Sequence, residues 1–266
     1  MTSFRDLHQP GNPFILANAW DAGSAKMLEA LGAQAIGTSS AAHAFTLGLP
    51  DGGHVTRDQA LSHAQDLIAA VTVPVSGDFE DGFGEAPEIC AETVRLSAEI
   101  GLAGLCIEDV KGASDQAYDF DLSVERIKAA ASAARAAKGD VFLVARADGV
   151  MTGAYDIEEG LRRIKAFDTA GADGLYIPVP KSMDDLKRVV EATEKPVNVL
   201  AAGPYAKISR ATYAEMGFAR ISLGSALARV THRAINDAAE AMFGNGDFSP
   251  LLQAMPGKKV DAMLLG

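Results

Sequence analysis

The apolar positions of this chain fall into short runs at a steady spacing. They are "FILAN" (14–18), "AQAIGTS" (33–39), "VPVSGD" (73–78), "AGLCIED" (103–109), "DVFLVARAD" (140–148), "ADGLYIPV" (172–179), "KPVNVLA" (195–201) and "FARISLG" (218–224). Between them lie amphipathic stretches of helical length, among them "RDQALSHAQDLIAAV", "PEICAETVRLSAEIG", "SVERIKAAASAARAAKG", "DIEEGLRRIKAFDTAGA" and "SMDDLKRVVEATEK". Several runs are apolar at successive rather than alternate positions, which suits a parallel sheet covered by helices on its outside. Pro87 fits the first turn of a helix, and Gly101, Gly139, Gly171 and Gly217 fit helix C-termini. Ser123 reads as an N-cap, with Arg126 where a capping box would place Glu. Eight strands with intervening helices in about 230 residues predict a (β/α)8 TIM-type barrel. An open doubly wound sheet would have fewer strands and a Gly-rich first turn, which "FILANAWDAG" is not. The expected organisation is one barrel domain over 1–243 and a C-terminal tail over 244–266, packed on the barrel or on a partner subunit.

Charge narrows the range of partners. The net charge is −11 and no run is rich in Lys or Arg, which argues against nucleic acid or an anionic membrane as the main partner. Cys90 and Cys106 lie inside apolar patterns without metal-ligand spacing, as small buried hydrophobes in a reducing compartment do. The segment "MTSFRDLHQPGNP" is polar, and no apolar run approaches the length of a bilayer span. A cytoplasmic protein is the expectation.

In a barrel, chemistry collects where strands end and loops to the next helix begin. Those ends carry Asn18, Trp20 and Asp21; Thr38, Ser39 and Ser40; Asp78, Glu80 and Asp81; Glu108 and Asp109; and Arg146 and Asp148. Pro178 and Asn198 follow on later strands, and "LGS" opens the last helix. Carboxylates on neighbouring strand ends repel one another and are costly to desolvate, so "SGDFEDGFG" asks for a positive partner. Magnesium is the natural one, because it is a hard cation that takes few carboxylates and keeps several waters. Calcium would favour an EF-hand-like loop, which is absent, and zinc would favour His or Cys at this point. Asp78 and Glu80, two apart, are expected on one side of the strand end, with Glu108 arriving from the next strand.

Taken in order, "TLGLPDGG", "GDFEDGFG", "CIEDV" and "VARADG" resemble the isocitrate lyase/phosphoenolpyruvate mutase superfamily, over about residues 10 to 240. The resemblance implies a barrel whose last helix is swapped between subunits, hence a homodimer or homotetramer. It implies Mg²⁺ (or Mn²⁺) ligated by Asp78, with Glu80, Glu108 and Asp51 in support. Thr38, Ser39 and Ser40 would bind the substrate carboxylate, and Arg146 the substrate and its developing oxyanion. The implied activity is cleavage of a C–C bond in a small 2-oxo or 2-hydroxy carboxylate through an enolate. The alternatives are C–P chemistry of the phosphonopyruvate type and a non-catalytic carboxylate-binding protein.

Two parts of the family pattern differ. The lyases carry Lys-Lys/Arg-Cys-Gly after the "IED" strand, and the phosphonate-handling members a Lys-Thr-Asn-Ser loop. This chain has "IEDVKGASDQAYDFD", with Lys111, Asp115, Gln116 and Tyr118 on the corresponding gating loop; Gln116 and Tyr118 are the candidates to replace the missing acid/base. A Glu of the lyases at the sixth strand end is Pro178 here. His43 and His54 flank the "LPD" loop as further acid/base candidates, Cys106 reads as core packing, and Asp81 as a shaper of the glycine turn.

Overall fold

The computed structural model describes residues 3–112, 114 and 116–265. Its strands are β1 (Phe14–Asn18), β2 (Ile36–Gly37), β3 (Val75–Asp78), β4 (Gly104–Glu108), β5 (Val110–Lys111), β6 (Gln116–Ala117), β7 (Phe142–Arg146), β8 (Gly174–Tyr176), β9 (Val197–Leu200) and β10 (Arg220–Ser222). All but β5 and β6 close into a barrel in the order β1-β10-β9-β8-β7-β4-β3-β2. Every pairing in that ring is parallel. Each apolar run therefore contributes one barrel strand, and β5–β6 is a small antiparallel ribbon in the loop after β4.

Alternation along the strands makes two apolar layers. Leu105, Ile107, Leu143, Ala145, Leu175, Val197, Val199 and Ile221 face outward and pack beneath the helices. Phe14, Leu16, Cys106, Phe142, Val144 and Tyr176 face inward. Phe4 joins them from below, and His8 stacks on Phe142 with ring centroids 3.8 Å apart, so the N-terminal segment plugs the barrel floor.

Register sets the height of each inward side chain. Glu108 pairs with Arg146, Arg146 with Tyr176, Tyr176 with Asn198, and Asn198 with Arg220. Glu108, Arg146 and Tyr176 are the last residues of their strands, whereas Arg220 is the first of β10. Because barrel strands tilt against the axis, this row descends from mouth to floor.

Local signals hold at most helix ends. Pro87 starts the helix Pro87–Glu99, Gly171 is the left-handed C-cap of Ile157–Ala170, and Gly101 and Gly217 also take positive φ after their helices. Two expectations are corrected. The helix expected to open at Ser123 is Phe120–Ala136, capped by Asp119, whose carboxylate accepts from the Asp121 amide; Ser123 lies in its first turn. That helix stops before Gly139, which has no positive φ, because Ala137 turns extended. A 20-residue helix, Ala226–Asn245, follows β10, and the tail ends in a final helix, Gly257–Leu265, lying against the first helix, Ala22–Ala30. Lys26 Nζ donates to the Leu264 carbonyl there at 3.2 Å.

Burial keeps two histidines neutral. It pushes His8 down to about 3 and His63, stacked 3.9 Å from His43, down to about 4. A depressed histidine contributes stability that is fully present above the unfolded value near 6.5 and is lost as pH falls from there toward the folded value. Urea unfolding at pH 7.5 and 5.5 should therefore show a loss of about 1 kcal/mol per histidine, and His8→Phe should flatten that slope. Equal stability at the two pH values would contradict neutral, buried rings.

Candidate active site

The strand ends surround a cavity of about 540 Å³ at the C-terminal face. Its wall includes Thr38, Ser39, Ser40, Asp51, Asp78, Glu80, Glu108 and Arg146, so these sequence-predicted residues are brought together. Five carboxylates, those of Asp51, Asp78, Glu80, Glu108 and Asp148, face only two guanidiniums, Arg146 and Arg220.

Arg146 organises the mouth. Its Nη1 lies 3.0 Å from Asp78 Oδ1 and 2.7 Å from Glu108 Oε1. Its other edge is held bidentately by Asp148, with Nε to Oδ1 at 3.0 Å and Nη2 to Oδ2 at 2.7 Å. Burial alone would lower its pKa, but these carboxylates override that and hold it firmly protonated. Asp148 thus orients the arginine; its side chain does not cap the following helix.

The turn after β2 secures Asp78 from the opposite side. Ser40 donates to Asp78 Oδ2 from its amide at 3.0 Å and its hydroxyl at 2.9 Å, and the Asp78 amide donates to Thr38 Oγ1 at 2.7 Å. Ser39 Oγ is turned to capping, accepting from the Ala42 amide at 3.3 Å. Asn18 ties the first strand in, donating to the Thr38 carbonyl and accepting from the Leu223 and Gly224 amides.

Glu80 departs from a simple strand geometry. Strand β3 ends at Asp78, and Glu80 sits at φ 46°, a strained position for a side chain of this kind. Its carboxylate turns under the "PDGG" loop and accepts from the Gly53 amide at 3.1 Å. A Cβ at Gly112 would lie 2.8 Å from Glu80 Oε2, so the carboxylate would have to shift to admit one. Burial, then repulsion from Asp78, pushes the Glu80 carboxyl up to about 7. Burial likewise pushes Glu108 well above the carboxylate range, although Arg146 opposes it.

Among the described residues, no three His, Cys, Asp or Glu side chains form a ready-made metal cluster, because the Arg146 guanidinium stands between Asp78 and Glu108. The donor set nonetheless fits Mg²⁺. It offers carboxylate oxygens facing one cavity, with negative charge in excess, and Mg²⁺ needs only one or two of them beside its waters.

The loop after β4 is placed differently from its sequence reading. Gln116 is exposed on the β5–β6 ribbon, paired with Lys111. Tyr118 is buried, its hydroxyl donating to Asp81 Oδ2 at 2.6 Å and its ring covered by Arg126 at 4.0 Å. Neither reaches the cavity wall, since the ribbon carries Gln116 to solvent and Asp81 draws Tyr118 outward. Asp115 lies outside the described residues. Asp81 shapes the turn, its other carboxylate oxygen accepting from the Phe83 amide at 3.0 Å. His54 lines the cavity, while His43 is buried against His63. Cys106 faces inward and donates to Asp78 Oδ1 at 3.3 Å; burial raises its pKa, so it is a thiol here.

Sequence reading missed the outer braces. Arg126 donates to the carbonyls of Gly84, Glu85 and Asp81, fixing the glycine turn. Arg163 pairs with Asp109 at 3.0 Å, and Asp109 Oδ1 accepts from the Asp148 amide at 2.8 Å. The only sequence signal was an arginine on the apolar face of each helix.

A closed parallel barrel with its polar residues gathered at the C-terminal strand ends defines a TIM-type fold with the site in the usual place. The family described as phosphoenolpyruvate phosphomutase matches residues 4–243, and the chain belongs to the PEP mutase/isocitrate lyase superfamily. An uncharacterised Mycobacterium tuberculosis protein is 33% identical over 99% of this chain and 96% of its own. The 2,3-dimethylmalate lyase of Eubacterium barkeri is 30% identical over 70% of this chain and 66% of its own. A Burkholderia cenocepacia J2315 structure, described provisionally as a lyase/mutase, superimposes with TM-score 0.94 and 40% identity over 99% of this chain and 95% of that one. Members of this superfamily are lyases and mutases.

Arg126→Met should remove the donor from three part-buried carbonyls and destabilise the fold by about 1–3 kcal/mol. Chemical denaturation measures this, and a loss under about 0.5 kcal/mol, the level of an ordinary surface change, would remove the bracing role.

Proposed function

We propose that the protein is a Mg²⁺-dependent enzyme, with Mn²⁺ as a substitute, that cleaves a C–C bond beside the carbonyl of a small 2-oxo or 2-hydroxy carboxylate. The observation that carries this reading is the convergence of Asp51, Asp78, Glu80 and Glu108 with Arg146 on one cavity. Asp78 would ligate the ion, with Glu80, Glu108 and Asp51 holding its waters. Bound there, Mg²⁺ supplies Lewis-acid stabilisation of charge developing on the substrate oxygens.

The chain's own groups do the rest. Ser40 fixes the Asp78 carboxylate and Thr38 its backbone amide, and the turn that carries them offers donors for the substrate carboxylate. Arg146 places a fixed cation where an oxyanion forms, and Asp148 keeps it oriented without reorganisation during the reaction. With Gln116 and Tyr118 turned away, proton transfer falls to His54, whose imidazole lines the cavity.

Assembly belongs to the same reading. The C-terminal segment exposes Val230, Ile235, Phe243, Phe248, Leu252 and Leu265, an apolar surface that a second copy of this chain would cover, as in a homodimer or homotetramer.

Turnover is tested on oxaloacetate, substituted malates and phosphonopyruvate with and without Mg²⁺, scored by release of pyruvate, glyoxylate or oxalate. Activity should vanish with EDTA and with Asp78→Ala, and fall about 10²-fold or more with Arg146→Ala; His54→Gln should lower kcat more than KM. Cleavage of phosphonopyruvate alone would move the reading to C–P chemistry, and tight binding without any turnover to a carboxylate-binding protein. Light scattering should give a dimer or tetramer that dissociates on Phe243→Asp with Leu252→Asp; a monomeric parent would sink the assembly.

A further inference from the structure

Three arginines, Arg126, Arg163 and Arg220, are buried at 1%, 5% and 3% exposure, and their partners separate them. Arg126 saturates backbone carbonyls, and Arg163 pairs with Asp109 and Glu159. Arg220 makes one hydrogen bond among the described residues, Nε donating to Asn198 Oδ1 at 2.8 Å. It forms no close ion pair there, the Asp78 carboxylate acting on it only at longer range, and its Nη1 is buried without any hydrogen bond. A buried guanidinium left in that state is expensive unless something negative completes it.

The surroundings point to what completes it. Arg220 begins β10 and lines the deep end of the same cavity whose mouth holds the carboxylates. Asn198 is fixed from both sides, since it accepts from Arg220 Nε and donates to Ser222 Oγ at 2.9 Å. The guanidinium is therefore held by its Nε edge, with its Nη side left for a ligand. Burial has drawn its pKa down to about 10, still fully charged at neutral pH.

We propose that Arg220 is an anion receptor on the cavity floor, binding an oxyanion group of the substrate distinct from the one held at the mouth. The cavity is polarised, with excess negative charge at the mouth and an uncompensated cation below. It selects a compact molecule with two anionic groups, either a dicarboxylate or a phosphonocarboxylate. The shared chemistry is a planar or tetrahedral oxyanion on a guanidinium fork. This inference rests on the proposed use of the cavity as the substrate site.

The test is binding in metal-free buffer with EDTA, so that it does not depend on the metal reading. Calorimetric titrations use acetate, malonate and methylphosphonate on the parent, Arg220→Met and Arg220→Lys. Malonate or methylphosphonate should bind the parent at least tenfold tighter than Arg220→Met. Arg220→Lys should fall between, because it keeps the charge but not the fork. Preference for malonate identifies a carboxylate ligand, and preference for methylphosphonate a phosphonate one; acetate should lose less than either. Thermal melting verifies the fold, and Arg220→Gln, which can keep the Asn198 contact, carries the same comparison if the Met variant does not fold. Equal affinities for parent and variant, or no binding of either dianion by the parent, overturns the proposal. Anion binding lost in the variant while no substrate turns over would leave Arg220 assigned and defeat the lyase reading instead. Turnover with unchanged KM in Arg220→Met would do the reverse.

Discussion

The architecture of the mouth depends on one guanidinium shared by three carboxylates. Asp78, Glu108 and Asp148 come from different strand ends, and Arg146 lies within 3.0 Å of each. Without the arginine, their repulsion in a poorly solvated space would force protons onto some of them or push the strands apart. With it, they converge and still leave negative charge over. That surplus makes the mouth receptive to a further cation, and it adds to burial, the larger cause, in pushing Glu80 and Glu108 toward protonation despite the arginine.

The cluster keeps its shape because the outside of the barrel holds it. Arg163 fixes Asp109, which accepts from the Asp148 amide and so sets the carboxylate that aligns Arg146. The Tyr155 hydroxyl adds a second donor to the same Asp109 oxygen at 2.7 Å. Arg126 grips the glycine turn, and Tyr118 bridges from Asp81 to the following loop. The helices Phe120–Ala136 and Ile157–Ala170 thus do more than cover the sheet. Each sends a buried arginine between strand ends to immobilise a segment of the mouth.

The barrel and its mouth were legible because their signals are local. Alternating strand and helix periods give the count, and "GDFEDGFG", "CIED" and "VARAD" mark strand ends by an abrupt change from apolar to charged residues. What escaped depends on register or direction. "FARISLG" reads as an apolar run, and only the pairing of Arg220 with Asn198 shows its arginine to lie inside the barrel. Glu80 read as strand because two-residue spacing was assumed to continue, whereas the chain turns to positive φ there. Tyr118 follows a polar loop, and nothing local tells that its hydroxyl points to Asp81 and away from the cavity. Ser123 lost the cap to Asp119, an equally good capping residue four positions earlier.

The division between barrel and loop has a physical basis. Side chains fixed by strand register, Arg146 above all, cannot move without breaking the sheet, so they determine the kind of charge the cavity stabilises. Among its described residues, the segment after β4 is held by Lys111 to Glu85 at 3.3 Å, by Tyr118 to Asp81, Asp109 and Arg163, and by the Gly112 backbone close against Gly52. A side chain at Gly112 would displace the Glu80 carboxylate, and Tyr118 holds Asp81 of the glycine turn.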